Sequence, residues 1–111
     1  MKPSELLIKA KAVIADPKHW TQGRYAHNAD GFDVESCNPE AVCWCSVGAI
    51  DKVAHEEGVS DTRFKATQYL AQMADEFGCS SIPDLNDHSS HETVMKAWDR
   101  AIKLAKEDEN R

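Results

Sequence analysis

Two short stretches concentrate the side chains able to do chemistry. In the first, Ala41-Val42-Cys43-Trp44-Cys45-Ser46-Val47-Gly48-Ala49-Ile50, two cysteines flank a tryptophan ahead of a run of small residues. In the second, Pro83 to Glu92, the residues Asp84, Asn86, Asp87, His88, His91 and Glu92 crowd together. A thiol becomes a nucleophile beside a base, so Cys45 with His88 is the candidate catalytic pair. Imidazoles and carboxylates together suit divalent metals. If the second stretch is helical, Asp84, Asp87, His88 and His91 share a face and form the candidate metal set.

Each constellation has a plainer reading, and the residue types favour it. Read as one helix, the first stretch places Cys43 and Cys45 roughly 200° apart, so they cannot share an ion, and the chain has no Cys-x-x-Cys pair. Counted from a helix start at Asn38, Cys45 lies two turns in, beyond the reach of the helix dipole. Its activation would need a histidine brought by the fold, such as His27 or His88. A free cysteine otherwise behaves as a small apolar side chain. In the second stretch Pro83 and the serine pair indicate a loop, where Asp and Asn form turns and helix caps. No cofactor and no metal are therefore expected.

The elements that position these residues follow from periodicity. Helix one is expected over about 5–15, capped by Ser4, with Leu6, Leu7, Ala10, Val13 and Ile14 on one face and Pro17 as its stop. The segment 17–38 carries Gly23, Gly31 and the run Asn28-Ala29-Asp30-Gly31, which predict a small hairpin pairing 24–27 with 32–35. Helix two is expected from Pro39 to Glu57, with Asn38 as cap and Gly58 as terminator. Helix three covers about 61–77, behind Ser60, with a stripe of Ala66, Leu70, Met73, Ala74 and Phe77. Helix four starts near Ser89 or Ser90 and buries Val94, Met95, Trp98, Ala101, Ile102 and Ala105. The fold class is mainly α (α+β): about four helices with a small β-hairpin between helices one and two. Residues 1–111 form a single domain, and the tail 107–111 is expected to fray.

On this helical wheel, Trp44, Cys45 and Gly48 form an apolar patch on what should be the solvent side of helix two. Something must cover it, and the nearest candidate is the segment with Trp20 and Tyr25. Gly48 costs about 1 kcal/mol against Ala inside a helix, which is tolerated where another group must come close. Gln22, an amide in a covering loop, is suited to hydrogen-bond buried backbone or to address a ligand.

Composition narrows the function classes. The 111 residues carry 13 Lys and Arg against 19 Asp and Glu, a formal net charge of −6. Nucleic-acid surfaces are usually basic, so direct nucleic-acid binding is not expected. No stretch is apolar enough for a signal peptide or a membrane span. The four cysteines are then read as reduced thiols in a cytoplasmic protein.

The spaced set Trp20-Thr21-Gln22-Gly23, Ala26, Gly31, Trp44-Cys45-x-x-Gly48-Ala49 and Asn86-Asp87 resembles that of a family of small uncharacterised phage and bacterial proteins. The resemblance covers about residues 5–105, although Leu85 stands where an aromatic residue would precede Asn-Asp. It supplies no activity, and implies a phage or mobile-element setting with a host or phage protein as partner. Two functions compete. The first is a binding or modulator protein acting by protein–protein contact. The second is an enzyme or small-ligand binder with its pocket between Trp20, Gln22, Trp44, Cys45, Asn86 and Asp87. A third, structural, role has Asn86 and Asp87 holding the backbone of the Trp20–Gly23 turn, and it is compatible with both.

Overall fold

A computed structural model describes residues 1–111. Proline lacks an N–H and suits the first helical turn, and Pro3 opens α1 (Pro3–Ile14) there. Ser4 is therefore inside the first turn rather than at the cap, which is Lys2. Its buried hydroxyl and backbone N–H both donate to the Glu109 carboxylate at the far end of the chain. That long-range contact replaces the local capping bond the sequence suggests. A short 3₁₀ turn, Pro17–His19, follows, with its start capped by Asp16.

Strand β1 (Ala26–Asn28) pairs antiparallel with β2 (Ala41–Trp44), His27 opposite Cys43 and Ala26 opposite Trp44. The hairpin expected between 24–27 and 32–35 is reduced to a single bridge, His27 to Asp33, beside the backbone bonds Val34 N–H to Ala26 C=O and Asn28 N–H to Phe32 C=O. The true partner of β1 is the segment expected to begin helix two. Asn38 does cap, but it caps a turn: its side chain accepts from Glu40 N–H at 2.8 Å, and the chain then extends into β2. The outer edge of β2 is occupied as well. Thr21 N–H donates to the Trp44 carbonyl, Trp20 bridges Trp44 in parallel, and His19 Nδ1 lies 3.0 Å from the Val42 carbonyl oxygen.

Helix α2 (Ser46–Glu57) begins only after β2, with Cys45 as its cap, and closes at Gly58 in the left-handed conformation at φ 66°. Helix α3 (Ser60–Glu76) starts one residue earlier than expected, with Val59 at the cap, and buries Ala66, Leu70, Met73 and Ala74. Phe77 is only partly buried against that core. The segment read as a loop contains a further helix, α4 (Ile82–His88), so there are five helices rather than four. Ser81 caps it through Asp84 N–H and Pro83 occupies its first turn. Helix α5 (His91–Glu109) has Ser90 as its cap and buries Val94, Ala97, Trp98, Ala101 and Ala105. It continues to Glu109, into the tail expected to fray, where Tyr69 donates to Asp108 at 2.9 Å and Glu109 receives Ser4. The core lies among α1, α2, α3 and α5, with Trp98, Leu6, Leu7, Ile50 and Leu70 fully enclosed. The sheet and α4 cover one end of it.

Candidate functional site

The motif residues meet where the 20–23 turn, the start of α2 and α4 converge, and a buried amide joins them. Asn86 is 1% exposed. Its Oδ1 accepts from Trp20 Nε1 at 2.8 Å, Ser46 N at 3.0 Å and Ser46 Oγ at 2.8 Å. Its Nδ2 donates to the Thr21 carbonyl at 2.9 Å and to Asp87 Oδ1 at 3.0 Å. Trp98 Nε1 donates to Ser46 Oγ at 3.1 Å, which ties the α5 core to the same centre. An asparagine side chain has two donors and one two-lone-pair acceptor, so Asn86 has no capacity left for a ligand.

The turn around it is held equally firmly. Gln22 Nε2 donates to the carbonyls of Asn86 and Ser89 at 3.1 and 3.2 Å, and Gly23 N–H donates to Asp87 Oδ1 at 2.9 Å. Trp44 Nε1 donates to the Ser36 carbonyl at 2.9 Å. Gly48 is needed because the hairpin passes directly over α2. A Cβ there would stand 2.1 Å from the Tyr25 carbonyl oxygen. That oxygen already accepts from Cys45 N–H at 3.1 Å. The patch of Trp44, Cys45 and Gly48 is thus covered by the chain itself.

Cys45 is not two turns into a helix, as a start at Asn38 implied. It is the cap of α2, and its Sγ accepts from Gly48 N–H at 3.3 Å. Cys43 sits on β2, so the helical angle between the two cysteines does not apply; its Sγ donates to the Lys18 carbonyl at 3.1 Å. Burial pushes the Cys45 thiol above its usual range, against the pull of the Gly48 and Val47 amides, and the charge of Asp87 pushes the same way. Burial raises Cys43 too. Cys45 touches a cleft of about 200 Å³ whose lining includes Arg24, Tyr25, Pro83 and Asp87. No histidine lines that cleft. The proposed partner His88 is engaged elsewhere, with Nδ1 at 2.9 Å from Asp84 Oδ1.

The metal set is likewise dispersed. Asp84 and His88 pair with each other along α4, and Asp84 also accepts from Ser80 N–H at 2.8 Å. The Ser80 amide, followed by His88, holds the Asp84 carboxyl below its ordinary range. Asp87 is turned toward Gly23. His91 opens α5, where its Nε2 donates to the Ile14 carbonyl at 2.7 Å and its ring meets Trp20 edge-on at 5.2 Å. No three His, Cys, Asp or Glu side chains are grouped to hold a metal ion.

The motif positions are therefore joints between segments far apart in sequence, and one family model spans nearly all of those segments, matching residues 1–104. The chain belongs to DUF6197, a family of unknown function. No curated protein and no solved structure matches it. No helix of this DUF6197 chain is long and apolar enough to cross a membrane.

One participant is not announced by the sequence. Ser46 carries the central hydroxyl of the network, and a serine on a helix face otherwise apolar signals a buried group in need of a partner. Tyr25, expected to help cover the patch, does so only through its backbone carbonyl, and its side chain and that of Phe32 face out. They stand 60% and 69% exposed on the segment expected to cover the patch.

These environments set an order of thiol reactivity. In the native protein a maleimide modifies exposed Cys37 first, and Cys43 and Cys45, each 8% exposed, more slowly. Local opening suffices to free them, so their protection stays below the roughly thousandfold or more that global unfolding at about 5 kcal/mol would set. Mass mapping of labelled peptides with and without denaturant reads this directly, and rapid native labelling of Cys45 would contradict its enclosure.

Proposed function

We propose that this chain is a small non-catalytic binding protein that docks on a protein partner through its hairpin. One observation carries the reading: the tryptophans and the two aromatics of the hairpin have different tasks. Trp20, Trp44 and Trp98 each bond their indole N–H inside the fold. Tyr25 and Phe32, on the same covering segment, present most of their surface to solvent. Exposed aromatics at a rigid, polar-rimmed surface mark interfaces, where Tyr and Phe are enriched. The groups that could do chemistry are meanwhile committed to internal bonds, Asn86 and Gln22 above all. The net charge of −6 favours a partner with a basic face. The motif resemblance supports a host or phage protein in that role, and a cytoplasmic setting is proposed with it.

The test compares immobilised wild type with the double variant Tyr25→Ser/Phe32→Ser in a bacterial lysate. Wild type is expected to retain a protein that crosslinks to residues 24–35. The double variant is expected to lose it by about tenfold or more, the scale of an aromatic hot spot. Because both side chains are exposed, its stability should stay within about 1 kcal/mol of wild type. Identical retention by both proteins would sink the proposal.

A further inference from the structure

We infer that the groove beside the hairpin receives an arginine side chain of the protein partner. The inference rests on the docking face proposed above and names what that face recognises. The groove has a volume of about 630 Å³. Tyr25, Val34 and Cys37 supply apolar wall, and Asp33, Glu35 and Asp51 supply three carboxylates, with no lysine or arginine lining it.

Two of these carboxylates already hold a guanidinium from this chain. Arg24 Nη1 is 2.8 Å from Asp33, and Arg63 Nη1 pairs with Asp51. Both arginines reach in from residues outside the lining. Glu35 is exposed and enters none of the ion pairs. The surrounding segment is acidic: from Gly23 to Glu40, Arg24 stands against Asp30, Asp33, Glu35 and Glu40, a net charge of −3. The Cys37 thiol registers that field, being raised first by burial and then by the charges of Asp51, Glu56 and Glu35.

An exposed tyrosine ring beside an unpaired carboxylate is the arrangement a guanidinium fits. Its planar cation stacks on an aromatic face while its N–H fork engages a carboxylate, and it sheds water more readily than an ammonium. A phosphate-bearing ligand would meet the unpaired Glu35 carboxylate and two arginines already committed to Asp33 and Asp51, which disfavours a nucleic-acid occupant.

The test is fluorescence anisotropy with a labelled Gly-Arg-Leu-Arg-Gly peptide and its lysine and citrulline counterparts, read against the full chain. Saturable binding is expected in the order arginine, lysine, citrulline. Tyr25→Ser and Glu35→Gln should each weaken the arginine peptide by about two- to fivefold. Glu107→Gln, an equal charge change on exposed α5 surface, should leave it unaltered. Absence of saturable binding, parity of the lysine peptide, or equal weakening by Glu107→Gln overturns the inference. The lysate partner separates the two proposals. If Tyr25→Ser/Phe32→Ser loses the partner but Glu35→Gln does not, arginine recognition is wrong and the docking face stands. If the double variant keeps the partner, the docking face itself is wrong.

Discussion

Asn86→Ala is expected to lower stability by about 3–5 kcal/mol, the range reserved for substitutions that break a buried network. Removing the amide strands several groups at once. The Trp20 indole N–H, the Ser46 N–H and the Thr21 carbonyl all lose their partner. Each buried group left unpaired costs about 1–3 kcal/mol, and the small cavity adds a packing term. Partial relaxation keeps the total below the plain sum. Thermal melts followed by circular dichroism should show a drop of about 15 °C or more for a domain of this size. A loss under about 1 kcal/mol would mean that the amide is not the joint described.

Asn86→Asp separates hydrogen bonding from packing, because the shape is kept. One carboxylate oxygen would then replace Nδ2, facing the Thr21 carbonyl and Asp87 Oδ1, two acceptors. Burial, the two facing acceptors and the neighbouring Asp87 charge disfavour the charged form, and are expected to outweigh the Trp20 and Ser46 donors on the other oxygen. The new carboxyl's folded pKa is therefore raised above the unfolded value of about 3.9. A group raised on folding favours the folded state below its unfolded pKa and loses that contribution as pH rises through the folded value. The variant should therefore come nearest to wild type in acid and fall away toward neutrality. Parallel pH profiles for the two proteins would contradict this.

The second large effect is expected at Gly48. An exposed glycine inside a helix gains about 1 kcal/mol when replaced by alanine. Here the sign should invert, with Gly48→Ala costing about 2–4 kcal/mol. The added methyl would meet the Tyr25 carbonyl oxygen at 2.1 Å and the Ser36 hydroxyl oxygen at 3.2 Å. The carbonyl is backbone and cannot rotate away. Moving it breaks the bond from Cys45 N–H that fastens the hairpin to α2. Amide exchange at Cys45 should accelerate along with the loss of stability measured by denaturant titration. A stabilised Gly48→Ala protein would show that the crossing is not tight.

The limits of what the residues announce are instructive at three places. Asn38-Pro39 carries a helix-start signal, yet it makes a turn into β2, because local capping chemistry serves turns and helices alike. The real start of α2 has a cysteine at its cap, a residue type outside the preferred set, so nothing local marks it. The strand before it is too short and too buried to alternate: Ala41, Cys43 and Trp44 are all buried and only Val42 faces out. The α4 helix was legible. Ser81 followed by Pro83 and Asp84 is a capped start with proline in the first turn, masked by the density of turn-forming residues after it.

The site was half legible. Buried Trp, Gln, Asn and Ser demand partners, and that demand predicts a junction without saying which pairs form. The tie of Asn86 to residues some 40 and 66 positions away in sequence is a tertiary fact. For α3 and α5 periodicity sufficed, because each buries one apolar stripe.

The closure of both sides of the small sheet has a bearing on how the molecule meets others. A free strand edge is a template, either for runaway edge-to-edge polymerisation or for capture of an extended peptide by β-augmentation. Here the row of groups along β2 is answered by Thr21 and His19, and that along β1 by Val34 and Phe32. The hairpin can therefore lend neither strand to a visitor, and a partner has to be recognised by what its side chains are rather than by the backbone every protein shares.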